Sequence, residues 1–270
     1  MRYLEKFTDE GGSISYTFPL NAYEMETSQG LVVPFGDGAG AHYGYNQLAS
    51  ALAVKRNAIE SVRCLIVGAN AAAVDTAIDN ARSYLYRAGK GKLYFYDGSS
   101  VRRWAWARLI DMPELRFDSS MIRHQPMSLQ FARFSDWYGT TQYSTNNTMN
   151  ESSESFSVVN DGNARVFNAV FTLKGTFANP VITNTTNGYR LKSTTDGTAS
   201  GHWLRFDSGR NAVELSTNSG TTYTGDWANF VRLRGQVQLM VLEPGTNSFT
   251  AAFTGTPSAT LNVAFYHAFH

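Results

Sequence analysis

Apolar positions recur at two different periods along this chain, and the period separates its elements. From Asn70 to Gly89 (NAAAVDTAIDNARSYLYRAG) the spacing of Val74, Ile78, Ala81 and Leu85 is four, three and four residues, which lines one face of an α-helix. Asn70 is placed to cap its start, Asp75 and Asp79 lie early, Arg87 lies late, and Gly89 can stop it. One face of this helix is expected to pack on a sheet. After it the period changes to two: KLYFYD (Lys92 to Asp97), a DGSS turn, VRRWAWARL (101 to 109) and MIRHQPMSLQFARF (Met121 to Phe134) read as strands. Pro126 cannot donate to a strand partner and marks an edge or a bulge in the last of them.

From Gly139 to Ser157 the chain runs GTTQYSTNNTMNESSESFS, with little to bury. Residues 142–157 are therefore expected to be a linker between a domain at 1–141 and another at 158–270. In the second, short alternating runs such as ARVFNAVFTLKG, HWLRFDSG, NAVELSTNSG and TLNVAFYHAF are separated by Gly, Asn and Pro, and none has a helical period. The fold class expected is mainly β, an N-terminal β-sandwich-like domain with one α-helix followed by a β-sandwich of jelly-roll type.

Composition agrees with many short strands: aromatic residues make up 13% and charged residues 17% of the 270. The net charge of +1 is even along the chain, 15 Lys and Arg against 14 Asp and Glu in residues 1–150 and 8 against 8 in the rest. No basic tail supports binding to nucleic acid. The single Cys64, in the run CLIVG, excludes an internal disulfide and reads as a buried structural thiol. MRYLEKFTDEGG has charges where a secretory signal needs an apolar core, and no run reaches the ~18 apolar residues of a membrane span. A protein folded in a cytoplasm, with no membrane partner, is expected.

Catalytic patterns fail one by one. Gly36, Gly38 and Ala41 in LVVPFGDGAGA have dinucleotide-fingerprint spacing, but Pro34 and Gly44 break the strand and the helix that this motif needs. His42, His124, His202, His267 and His270 lack metal-ligand spacing, and no G-x-S-x-G elbow occurs. Asp207 with Glu214, or Asp111 with Glu114, could form a glycosidase pair only if the fold brought them together, and solvated surface acids are the simpler reading. No enzyme activity, metal or cofactor is expected.

Two groups of aromatic residues remain. In residues 101–109 alternation sends Val101, Arg103, Ala105, Ala107 and Leu109 to one face and Arg102, Trp104, Trp106 and Arg108 to the other. Two tryptophans bracketed by arginines are unfavourable in water and typical of protein interfaces, so this face is expected to meet protein, either a second sheet within the first domain or a neighbouring subunit, and is the candidate subunit or partner contact. Tyr189, Trp203 and Trp227 could instead form a platform for a sugar ring, with core packing as the alternative.

At this point the residues resemble a family, the distal tail proteins (Dit) of long-tailed, non-contractile bacteriophages. The likeness lies in the order of a single helix, the hairpin GKLYFYDGSSVRRWAWARL, the strand ending in FSDWYG (Phe134 to Gly139), then VNDGNARVFNAVFTLKGTFANPVITNTTNG (Val159 to Gly188) and LEPGTNSF (Leu242 to Phe249). The resemblance implies a tail-tube-like first domain, a galectin-like second domain and a hexameric ring around the DNA channel. It also implies a tail tube protein and a tail tip or hub protein as partners, side fibres at the periphery, and a place at the distal end of the virion tail after assembly in the host cytoplasm. DNA would pass through the lumen without specific binding. The reading from a different class is a carbohydrate-binding tail or surface module that contacts host glycans.

Overall fold

The computed structural model describes residues 3–18, 24–29, 58–96, 102–112, 124–236 and 238–270, and divides the chain into two compact units, Met1–Thr140 and Thr141–His270. Most of the described residues are strand. The glycine-rich segment 31–41, His42 and the side chain of Cys64 lie outside what is described, as does Glu114.

Unit 1 contains β1 (Tyr3–Asp9), β2 (Ser15–Thr17), β3 (Glu24–Gln29), β4 (Ala58–Val67), α1 (Ala71–Ala88), β5 (Lys90–Tyr96), β6 (Arg102–Asp111) and β7 (His124–Arg133). All pairings are antiparallel, in the order β2-β1-β5-β6-β7-β4-β3. The sheet folds back on itself: Phe7 of β1 meets Phe131 of β7 with ring centroids 5.1 Å apart, and Phe18 meets the same ring at 5.7 Å. Leu4, Val62, Leu93, Met127 and Leu129 complete this core. At Gly91 the sheet leaves no room for a side chain, since a Cβ there would lie 1.9 Å from the Thr8 carbonyl oxygen of β1.

Helix α1 forms where the 3.6-residue period placed it, and Val74, Ile78, Ala81, Leu85 and Ala88 are its buried residues. Asn70 Oδ1 accepts from the Ala73 amide at 2.9 Å, satisfying a donor that the first turn cannot. Gly89 closes the helix at φ 58°, ψ −121°, a positive φ as expected of a stop glycine but with ψ outside the left-handed helical basin. Replacing Asn70 with alanine is expected to cost about 1 kcal/mol. Urea denaturation of the full chain would measure it, and an unchanged midpoint would show the cap to be idle.

Pro126 lies in β7 opposite Leu65 of β4, upstream of the residues Gln130 to Arg133 that pair with β6. On the β6 side it therefore meets no described strand, which satisfies the edge condition. A register shift between Leu109 and Asp111 marks where β6 and β7 begin to part.

The division between units falls after Thr140, and residues 142–157 are not a linker. Residues 142–149 belong to β8 (Trp137–Met149) and 153–157 to β9 (Ser153–Asn160), with a three-residue turn between them. Their polar side chains alternate with the strand period and make cross-strand bonds: Asn147 Nδ2 donates to Leu261 O at 3.4 Å, and Asn262 Nδ2 donates to Ser144 Oγ at 3.0 Å and Asn146 Oδ1 at 2.9 Å. Low hydrophobicity reported exposure of these side chains, not absence of backbone pairing.

Unit 2 is two antiparallel sheets. One places β8 beside β17 (Ser258–Phe269), then β10 (Val170–Thr176), β13 (Trp203–Asp207), β14 (Ala212–Ser216) and β15 (Thr224–Gly225). The other has the order β12 (Arg190–Lys192), β11 (Val181–Asn184), β16 (Gly245–Ala252), β9. Phe171 of β10 meets Phe249 of β16 across the core at 5.6 Å, and Phe249 stacks on Phe156 of β9 at 4.9 Å. Leu204 and Phe206 point inward from β13, while Trp203, Arg205 and Asp207 take the half-exposed positions. The apolar run Leu239 to Leu242 is buried without being a strand. Side chains replace its missing partners: Asn184 and Asn187 both donate to Val241 O, at 3.0 and 2.9 Å, and buried Asn247 donates to Glu243 O at 2.8 Å.

Candidate interaction surface

The strip at 101–109 lies on β6, whose outer face continues across β5 and β1. Register sets the neighbours: Lys92 stands opposite Trp106, Tyr94 opposite Trp104, Lys90 opposite Arg108 and Tyr96 opposite Arg102, while Lys6 of β1 stands opposite Tyr94. Residues far apart in sequence thus form one surface of aromatic rings covered by cations. Lys92 Nζ lies 5.0 Å from the Trp104 ring and 5.6 Å from that of Trp106, Lys90 Nζ lies 4.7 Å from Trp106, and Lys6 Nζ lies 4.7 Å from Tyr94. Each of these half-buried lysines sets its ammonium over a ring within cation–π range.

The two tryptophans have different environments. Trp104 is 5% exposed: its ring lies 4.9 Å from that of Tyr138, its Nε1 donates to Gly139 O at 3.1 Å, and Trp106 stands edge-on to it at 5.4 Å. All of these partners belong to unit 1. Trp106 is half-buried, and its backbone is tied to the chain after β7, with its amide donating to Ser135 Oγ at 2.8 Å and its carbonyl accepting from Phe134 N at 3.0 Å. Arg102 and Arg108 are exposed, and Arg102 pairs with Glu5 at 3.1 Å. The surface offers ring area, stacked cations and hydrogen-bond donors.

The three candidate sugar contacts do not share one set of neighbours. Tyr189 is half-buried beside Arg165 and Glu243, and burial raises its phenol above the ordinary value, so it is neutral at physiological pH. Trp203 lies under Lys174 Nζ at 4.3 Å, and its ring is so close to Gly220 that a Cβ there would sit 2.5 Å away. Trp227, 42% exposed, stands edge-on to Phe230 at 5.4 Å. Asp207 and Glu214 are both held by Arg210, at 2.6 and 2.9 Å, and Glu214 also by Arg205. That arrangement fits a surface ion-pair network. Among the described residues no group of three His, Cys, Asp or Glu side chains is placed to hold a metal, and no helix is long and apolar enough to cross a membrane.

No protein-family model matches this chain, and no curated protein does. Solved structures do. The chain is similar to the crystal structure of the Dit protein of phage SPP1, described as a paradigm of the hub adsorption apparatus in phages infecting Gram-positive bacteria, with a TM-score of 0.58 at 14% identity over 91% of this chain and 92% of that one. It is also similar to a chain of the phage p2 baseplate in its activated conformation with strontium (TM-score 0.48, 9% identity, 98% of both chains) and to one with calcium (TM-score 0.49, 9% identity, 98% of both chains). The fold is that of a Dit protein.

Proposed function

We propose that this chain is a structural protein of a bacteriophage tail, a distal tail protein without catalytic activity. In this reading unit 1 closes a hexameric ring between the tail tube protein and the tail tip or hub protein, and unit 2 is a galectin-like domain that meets peripheral partners such as side fibres. DNA passes through the lumen without specific binding. The observation that carries the reading is the match of fold along nearly the whole chain to SPP1 Dit. The net charge of +1 is consistent with it, because the chain as a whole carries no basic excess to hold DNA.

Exposed Arg102 and Arg108 and half-buried Trp106 serve as the subunit contact in this reading, with buried Trp104 packed beside them. Native mass spectrometry of the full chain should show six copies of the 29.8 kDa subunit. Trp106→Ala should weaken assembly by about 2 kcal/mol or more while leaving the fold intact. A full chain that stays monomeric on the order of tens of micromolar, with and without purified tail tube protein, would reject the ring.

A further inference from the structure

Unit 2 carries eight lysines and arginines, and among the described residues its acids pair with three of them. Arg165 pairs with Glu243 at 2.8 Å, Arg205 with Glu214, Arg210 with Asp207 at 2.6 Å, and Lys174 covers Trp203 at 4.3 Å. The other four, Arg190, Lys192, Arg232 and Arg234, have no carboxylate partner among the described residues. They converge on one edge. Residues 229–236 lie along β12: the Val231 amide donates to Lys192 O at 2.9 Å, the Thr194 amide to Asn229 O at 2.9 Å, and Gln236 accepts from the Arg190 amide at 2.9 Å while donating to its carbonyl at 3.0 Å. Arg190 and Lys192 flank the buried Leu191 and so share one face of the strand.

The acids nearest in sequence are already engaged. Asp226 is buried and accepts from Thr195 Oγ1 and from Asn229 Nδ2, and Asp196 Oδ1 accepts from the Asn179 amide at 3.1 Å. Arg190 Nε is buried without an acceptor. Beside these cations the chain exposes Trp227 and Val231, with Arg232 5.7 Å from the Trp227 ring. Four like charges on one edge repel each other, and Trp227 and Val231 beside them leave 42% and 38% of their surface exposed.

We infer that the β12 edge of unit 2, with residues 227–234, docks an acidic segment of a partner protein that also carries an apolar side chain. Arginine forks match carboxylates, and a tryptophan among arginines is the composition of interface hot spots. Val231 favours protein over nucleic acid, because phosphates give an aliphatic side chain nothing to cover and a single exposed ring is a short platform for stacked bases. This surface lies in unit 2 and does not depend on the ring.

The probe is a fluorescein-labelled peptide of about twelve residues, glutamates interrupted by one leucine and one phenylalanine, compared by anisotropy with an oligothymidylate of equal charge. The full chain should bind the peptide more tightly than the oligonucleotide. Arg232→Glu should weaken peptide binding at least about fivefold, Trp227→Ala about threefold, and Arg87→Glu on the exposed turn of α1 less than about twofold. Arg232→Lys, which keeps the charge, should retain binding within about threefold, and unchanged melting temperatures would show that every variant folds. Absence of peptide binding overturns the inference, as does equal weakening by Arg87→Glu and Arg232→Glu. Tighter binding of the oligonucleotide overturns it in favour of nucleic acid.

Discussion

Trp104→Ala is expected to destabilise unit 1 by about 3 to 5 kcal/mol, the range for removing a large aromatic side chain from a packed site. The substitution removes the ring contacts with Tyr138 and Trp106, takes the Trp104 ring from beneath the Lys92 ammonium, and leaves Gly139 O without the indole donor. Trp104→Phe should recover part of the loss, because it restores ring area but not the N–H. Urea denaturation followed by tryptophan fluorescence measures both. A loss under about 1 kcal/mol for the alanine variant would mean that Trp104 is not the buried partner of Tyr138 described above. The contrast with Trp106 is diagnostic: one variant unfolds unit 1, the other separates subunits.

The second large effect centres on Glu60 of β4, whose side chain is fully buried and whose Oε1 accepts from Arg133 Nε at 2.7 Å. Arg133 also donates to Ser135 O at 2.6 Å and stacks 5.1 Å from the Trp137 ring, so it is fixed from three sides. Arg133→Met removes the guanidinium partner of a fully buried carboxylate and is expected to cost about 3 to 5 kcal/mol. The double variant Glu60→Met/Arg133→Met should recover most of that, since two well-packed apolar side chains remove the desolvation cost along with the attraction. If the double variant is no more stable than Arg133→Met, the penalty comes from lost packing around Trp137 and not from the lost ion pair.

Period alone located the helix and its cap, because Asn70, Val74, Ile78, Ala81 and Leu85 each act within one or two turns of chain. The strands at Lys90–Tyr96, Arg102–Asp111 and His124–Arg133 were legible for the same reason. What composition misread was 142–157, where Ser144, Asn146 and Asn147 bond to β17 and form strands with almost no apolar content. The face around Trp104 was half legible. Alternation put Arg102, Trp104, Trp106 and Arg108 on one side, but Lys6, Lys90 and Lys92 reach it only through the registers of β1 with β5 and β5 with β6, which a single sequence does not print. The unpaired cations of unit 2 were hidden by arithmetic: eight positive against eight negative charges says nothing of which ones meet.

The position of β17 between β8 and β10 sets a constraint on how unit 2 comes into being during translation. Val170 pairs with Ala264, Leu173 with Leu261, and β9 finds its partner only in β16, with Asn160 opposite Gly245. The strands of unit 2 made first therefore emerge from the ribosome with Phe156, Phe171 and Leu173 exposed and wait for partners made last. Such long-range pairing is slow and leaves sticky edges open, so unit 2 cannot close before β16 and β17 have been made, and until then its open strands can pair with those of other copies. In unit 1 the hairpin of β5 and β6 closes on neighbouring residues and can form while the chain is still growing.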